Sequence, residues 1–191
     1  MAIPREFETY SWKDYRSWSE EERWELLEGI AWSMSPAPSR THQKLLGELF
    51  TQFYNFLEGT ECEVYAAPFD VKLSPETEDD APTVVQPDIV LCCDPDKLTD
   101  WGLQGAPDLV TEIVSPDSGR KDRREKFRLY ERYGTGEYWI VDPDEEVVEV
   151  YRRVKDRFER TGAYGPEDRP GAKALPGFEC DLSRVFTRGK A

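Results

Sequence analysis

Two nearly uninterrupted apolar runs, "PDLVTEIV" (107–114) and "GEYWIVDP" (136–143), are separated by a charged stretch ending "DRREKFRLYERYGT". Runs of this length and makeup read as buried strands, and the stretch between them, about Gly119 to Tyr133, as a helix. A strand–helix–strand order of this kind calls for a crossover within a mixed β-sheet, which assigns the chain to the α/β class. The first run also carries a single charge, Glu112, and one of the most basic segments of an acidic chain follows it.

The rest of the pattern fits around that crossover. "SRTHQKLLGELFTQFYNFLE" (39–58) is the clearest helix, with Leu45, Leu49, Phe53 and Phe56 at helical spacing. "SEEERWELLE" (19–28) reads as a short helix with Ser19 as cap and Glu22 three residues on. "CEVYAAPFDVKLS" (62–74) alternates in part, with Pro68 marking a bulge or an edge. "VVQPDIVLCC" (84–93) is a strand run interrupted at Gln86–Pro87–Asp88, and "EEVVEVYRRV" (146–154) pairs with the run before it across a Pro-Asp turn. At 191 residues the chain fits a single domain, with a core over about 20–153 and a loop-rich C-terminal tail.

Charge and cysteine usage limit the functional classes. The net charge of −14, from 39 acidic and 25 basic residues, works against non-specific DNA binding by the molecule as a whole. A nucleic-acid function therefore needs a local basic surface or a partner. Cys62, Cys92, Cys93 and Cys180 form no CxxC pair, which argues against a disulfide framework, and a lone histidine argues against zinc. No leader-like segment and no window approaching 18 apolar residues is present, so a soluble, cytoplasmic protein without a membrane partner is expected.

The candidate chemistry lies in the misplaced charges. Asp88 and Glu112 each interrupt an apolar strand, where an unpaired carboxylate costs several kcal/mol and is normally paired, protonated or metal-bound. Converging from neighbouring strands, they make an oxygen-rich site suited to Mg2+ or Mn2+. The plainer alternative is a carboxylate at a strand end or capping a neighbouring backbone. Asp122, Lys126 and Tyr130 share one helical face, ringed by Arg120, Lys121, Arg123, Arg124 and Arg128. Lys126 can orient an attacking water or stabilise phosphoryl charge. As a surface ion pair with Asp122 it would contribute only ~0.3–0.5 kcal/mol. Glu28, at the end of the first predicted helix, is a third acidic candidate. His42 offers a phosphate or metal contact, or merely a helix-start histidine, and Gln86 accompanies Asp88 as a possible accessory.

The segments "QPDIVL", "PDLVTEIVSPDS" and "DRREKFRLYERYGTGEYWIVDP", with the upstream "ELLEGIAWSMSPAPSRTHQ", resemble the Uma-type family of restriction endonucleases within the PD-(D/E)xK nuclease superfamily. The resemblance runs from about residue 20 to 153. It implies a restriction-endonuclease-like α/β core, a mixed sheet flanked by helices, frequent homodimers and a magnesium-dependent DNA endonuclease. Asp88 then matches the "PD" acid and Glu112 the (D/E)xK acid, with the Ile113 carbonyl as a further metal ligand. The lysine expected two residues after Glu112 is replaced by Val114; Lys126 best fills that role from the following helix, and Glu28 matches the N-terminal acid. The basic face at Arg120, Arg123 and Arg124 would meet DNA phosphates. The alternative is a catalytically silent module of the same fold for nucleic-acid or protein interaction.

Overall fold

A computed structural model describes residues 8–18, 22–34, 37–74, 79–115 and 122–187. Its strands form two mixed sheets of six. The first has the order β2 (Ile30–Ser33), β1 (Trp24–Leu27), β5 (Val84–Val85), β4 (Asp70–Lys72), β8 (Gly102–Gln104), β7 (Leu98–Thr99). The second runs β12 (Arg157–Tyr164), β11 (Val147–Val154), β10 (Glu137–Asp142), β9 (Leu109–Ile113), β6 (Ile89–Cys92), β3 (Glu63–Ala66). The expected crossover is present. β9 and β10 are parallel, Glu112 lies beside Ile140, and the chain between them passes through a helix.

That helix starts wide. Asp122–Lys126 form a π-helical turn that runs into a regular α-helix, Phe127–Tyr133, closed by Gly134 at φ +95°. A π-turn lets successive side chains converge more than an α-turn does, and such turns recur at functional sites. The predicted first residues of this helix, Gly119–Lys121, lie outside the described residues. The long helix Arg40–Phe56 is as expected, with Ser39 capping it through the His42 N–H. It lays Leu45, Leu49 and Phe53 on the second sheet against Ile89, Leu109, Ile113 and Trp139. No helix among the described residues is long and apolar enough to cross a membrane.

Several expectations need correction. The predicted helix at 19–28 is, over its described part, a hairpin: Trp24–Leu27 pairs antiparallel with Ile30–Ser33. Glu28 and Gly29 form its two-residue turn with φ of 50° and 85°, the left-handed pair such a turn requires. Tertiary burial of Leu26 and Leu27 against the first sheet outweighs the helix propensity of a Glu-rich segment. The 62–74 run is split at Pro68 into strands of different sheets, because proline has no N–H to continue a ladder. Between β6 and β9, residues 94–106 hold the short strands at Leu98–Thr99 and Gly102–Gln104. The tail is not merely loop: it carries Arg157–Tyr164 as an edge strand and buries Leu175, Phe178, Leu182 and Val185 against the long helix.

The cysteine expectation also fails. Cys62 and Cys93 form a disulfide. Glu63 faces Cys92 in the antiparallel β3–β6 pair, so the next rung outward brings Cys62 opposite Cys93. Spacing within the sequence misses this pairing because the sheet register creates it.

Candidate active site

The segment Gln86–Pro87–Asp88 carries the chain from the first sheet to the second, and an acidic cluster forms at that junction. Asp88 enters on this connector, Glu112 near the C-terminal end of β9, Glu25 on β1, and Asp122 and Lys126 on the π-turn. Each element is placed by its own buried apolar residues, so the charged side chains have little freedom to move apart. Leu26 and Val84 are paired across β1 and β5, and Ile89 and Thr111 across β6 and β9.

Lys126 is the centre of the cluster. Its Nζ lies 2.7 Å from Glu112 Oε1, 2.7 Å from Glu25 Oε1 and 3.7 Å from Asp122 Oδ1. The lysine, Glu25, Glu112 and Asp122 are all buried. Burial works against the ammonium, but the charges of Glu112, Glu25 and Asp122 reverse this and hold its proton well above the ordinary lysine range. Tyr130 adds a hydrogen bond, its hydroxyl donating to Glu112 Oε1 at 2.8 Å. The Asp122, Lys126 and Tyr130 face expected on one side of the helix is thus the side facing Glu112. Val114, in the strand position of the superfamily lysine, is buried among apolar residues.

The second carboxylate is tied to the first through the backbone. The Ile113 N–H donates to Asp88 Oδ2 at 2.7 Å, and His42 Nε2 lies 3.2 Å from the same oxygen. His42 therefore belongs to the site rather than to the surface. Burial lowers its proton affinity, but the hydrogen bond and charge of Asp88, the Ile113 backbone and the charge of Asp122 raise it beyond that loss. Its buried Nδ1 has no hydrogen-bond partner among the described residues.

Three carboxyl groups around one ammonium, with Asp88 close to Glu112, leave excess negative charge in a buried space. Burial is the largest cause pushing the Glu112 carboxyl up, to about 8; Lys126 opposes it, and Asp122, Asp88 and Glu25 reinforce it. Protons or a cation must offset the remainder. The donor set fits a hard divalent ion. Glu112 Oε1 and Asp88 Oδ2 are engaged, but the second oxygen of each accepts no hydrogen bond from a described residue. Among the described residues no group of three or more His, Cys, Asp or Glu side chains is placed to hold a metal ion, so Asp88 and Glu112 would need water to complete a shell. Two carboxylates completed by water are what magnesium takes.

The sequence candidates divide cleanly. Asp88, Glu112, Ile113, Lys126, Asp122 and His42 come together. Gln86 sits just outside, its backbone N–H donating to Glu25 Oε1 at 3.0 Å. Glu28 is elsewhere: held in the hairpin turn, it is exposed and pairs with Arg132 at 2.6 Å. Arg123 is bound to Asp142 and Glu149, Arg124 is exposed, and Arg120 lies outside the described residues. Glu25 is the residue that sequence reasoning missed. Reading Glu28–Gly29 as a hairpin turn between short apolar runs would have made "WELL" a strand with Glu25 as its buried charge.

The junction thus gathers acids from both sheets around a helical lysine. Comparisons with known proteins give the fold and the family. A crystal structure titled as a putative nuclease belonging to DUF820, from Anabaena variabilis ATCC 29413, superposes with a TM-score of 0.74. It is 18% identical and covers 93% of this chain and 97% of its own, so the two share a fold. An uncharacterized protein of Synechocystis sp. (strain ATCC 27184 / PCC 6803 / Kazusa), slr1290, is 27% identical over 153 residues, 78% of this chain and 77% of that protein. Residues 12–183 match the family described as "Uma2: Putative restriction endonuclease". The chain belongs to the Uma2 family.

Proposed function

We propose that this protein is a magnesium-dependent DNA endonuclease that hydrolyses phosphodiester bonds. The observation that carries the reading is the 2.7 Å contact between Lys126 Nζ and Glu112 Oε1. It returns to the acid, from a helix, the ammonium that Val114 removes from the strand. Asp88 and Glu112 would hold Mg2+ or Mn2+, with the Ile113 carbonyl as a further ligand; the ion would polarise a phosphoryl oxygen and lower the pKa of a bound water. Lys126 places a fixed positive charge beside that position and donates hydrogen bonds to the attacking water or to the phosphoryl oxygen. Glu25 and Asp122 aim the ammonium, and Ile113 N–H and His42 fix the orientation of Asp88. The exposed Arg124 and Arg128 on the helix exterior would meet backbone phosphates, in contacts that position without specifying sequence. A homodimer fits the same reading.

One observation favours a second reading, a catalytically silent module of the same fold. Three carboxylates enclose Lys126, and a lysine so fully engaged is also a good structural tie. Cleavage of plasmid and oligonucleotide DNA with Mg2+ or Mn2+ separates the two. Wild type should cut, with Asp88→Ala, Glu112→Ala and Lys126→Ala losing activity. If wild type cuts no more than Asp88→Ala, the silent module is the better account.

A further inference from the structure

A cavity of about 310 Å³ opens beside the acidic cluster, lined by Pro68, Phe69, Asp70, Gln86 and Trp101 among others. None of its polar side chains takes part in the chemistry described above, yet those of Asp70 and Gln86 are held in one orientation. The Arg23 guanidinium donates through Nε and Nη2 to Gln86 Oε1, at 3.0 and 2.8 Å. A fork of this kind settles which end of the amide is oxygen. The amide nitrogen is thereby turned toward Asp70 Oδ1 at 2.8 Å and the Tyr15 oxygen at 3.1 Å. Tyr15 also reaches Asp70 Oδ1, at 2.8 Å. One carboxylate oxygen thus receives both donors, while Asp70 Oδ2 accepts no hydrogen bond from a described residue. Aromatic residues complete the wall. Trp101 rests against Trp12 at 4.5 Å, and Phe69 stacks on Tyr65 at 4.1 Å.

Asp70 is only partly buried and lines the cavity, so its second oxygen is accessible to a ligand there. Here a preformed acceptor is left inside an aromatic-walled space. Asp100 also lines the cavity, so a phosphate would be repelled and a neutral, flat group with N–H donors admitted. The cavity and the cluster share one residue. Gln86 contributes its side chain to one and its backbone N–H to Glu25 in the other, and Asp88 follows two residues later. Two extended residues span about 7 Å, within reach of the nucleotide adjoining a phosphate at Asp88.

We propose that this cavity is a subsite for a single unpaired nucleobase bearing an exocyclic amine, supplied by the nucleotide next to the scissile phosphate. The inference rests on the nuclease reading and gives it a substrate preference. Cytosine N4, adenine N6 and guanine N2 each present an exocyclic amine to Asp70, whereas the single Watson–Crick donor of thymine, N3–H, is flanked by two carbonyl oxygens that a carboxylate repels. Trp101 and Phe69 supply ring surface for stacking, which contributes to affinity for single strands whatever the base. The base must be unpaired because a duplex keeps its edges occupied and its faces stacked.

The test is binding without cleavage: fluorescence anisotropy of short labelled dC, dA and dT oligonucleotides in EDTA, using the full chain. Wild type should bind dC and dA about tenfold more tightly than dT. Asp70→Asn should remove that preference while leaving dT binding unchanged, and Trp101→Ala should weaken all three oligonucleotides. Asp88→Ala should lose magnesium-dependent cleavage yet keep the base preference, which separates the subsite from the catalytic groups. If wild type cleaves DNA but binds the three oligonucleotides alike, or if Asp70→Asn keeps the preference, the subsite is refuted and the nuclease reading stands. If wild type neither binds nor cleaves any of them, the nuclease reading falls and the subsite falls with it. Should Asp70→Asn fail to fold, an unchanged dC and dA affinity in Trp101→Ala overturns the proposal on its own.

Discussion

Glu112 and Glu137 are both buried glutamates on adjacent parallel strands, three rungs apart, yet their surroundings differ in kind. Glu137 has donors on both oxygens. Trp139 Nε1 lies 2.8 Å and Arg152 Nε 3.4 Å from Oε1, and the Lys173 backbone N–H lies 2.6 Å from Oε2. One negative charge meets one positive charge. Because Arg152 also binds the Gly171 carbonyl at 2.6 Å, the arrangement pins the C-terminal segment to the sheet. Glu112 has both its donors on one oxygen, a second oxygen without a described partner, and three further acids nearby. The cost of burying a carboxylate is similar at the two positions. Where it is fully offset the residue holds structure together; where charge is left over, the residue is poised for a ligand or a proton.

Changing both glutamates tests this contrast most strongly. Glu137→Ala should lose about 3–5 kcal/mol of stability in urea denaturation, by stranding Arg152 and the Lys173 amide, while cleavage per folded molecule stays near wild type. Glu112→Gln should do the reverse: cleavage falls by about 10²–10³-fold, and stability holds or rises because the amide is buried neutral without having to bind a proton. A stability loss at Glu112 matching that at Glu137 would erase the distinction. Glu25→Gln should have a smaller effect, weakening magnesium affinity by about tenfold in calorimetric titration, because Glu25 orients Lys126 rather than facing the ion.

A pH effect of the same origin is smaller again. The Glu112 carboxyl is raised from 4.5 to about 8 in the folded chain, so the protonated form is the favoured one there. Its contribution to stability is complete below the unfolded value and is lost as pH climbs through about 8. In EDTA, the melting temperature of wild type should therefore fall between pH 6 and 9 more steeply than that of Glu112→Gln; parallel slopes would contradict the assignment. The smallest change is expected at Glu28, whose exposed pair with Arg132 is worth less than about 1 kcal/mol. Glu28→Ala should alter neither melting nor cleavage measurably, and a large loss of cleavage there would move the third acid from Glu25 back to the hairpin turn.

Much of the site was legible because it breaks local rules. Glu112 stands out as a charge within an apolar strand, Asp88 as a charge breaking an apolar run where the chain leaves one sheet for the other, and Asp122, Lys126 and Tyr130 as a polar face on one side of a helix. His42 and Gln86 carried weaker signals, since one histidine in a first helical turn and one glutamine before a proline have many ordinary uses. Glu25 was hidden by a propensity error. A segment rich in Glu and Leu looks helical until the Glu28–Gly29 turn is given its left-handed geometry. The Asp70–Gln86–Arg23–Tyr15 network had no sequence signal at all, because its members come from separate segments and only meet in space.

The sequence by itself determined the α/β crossover, the long helix, Glu112 on its strand and the absence of a lysine at Val114, whereas Asp88, read inside a strand, lies on the connector just before β6. These are properties of periodicity and local burial, written along the chain. Tertiary structure decided that Lys126 reaches Glu112, that Glu25 rather than Glu28 joins it, and that Cys62 meets Cys93. Each of those depends on sheet register and on which elements pack together, and the energy that selects them is shared among residues far apart in the chain.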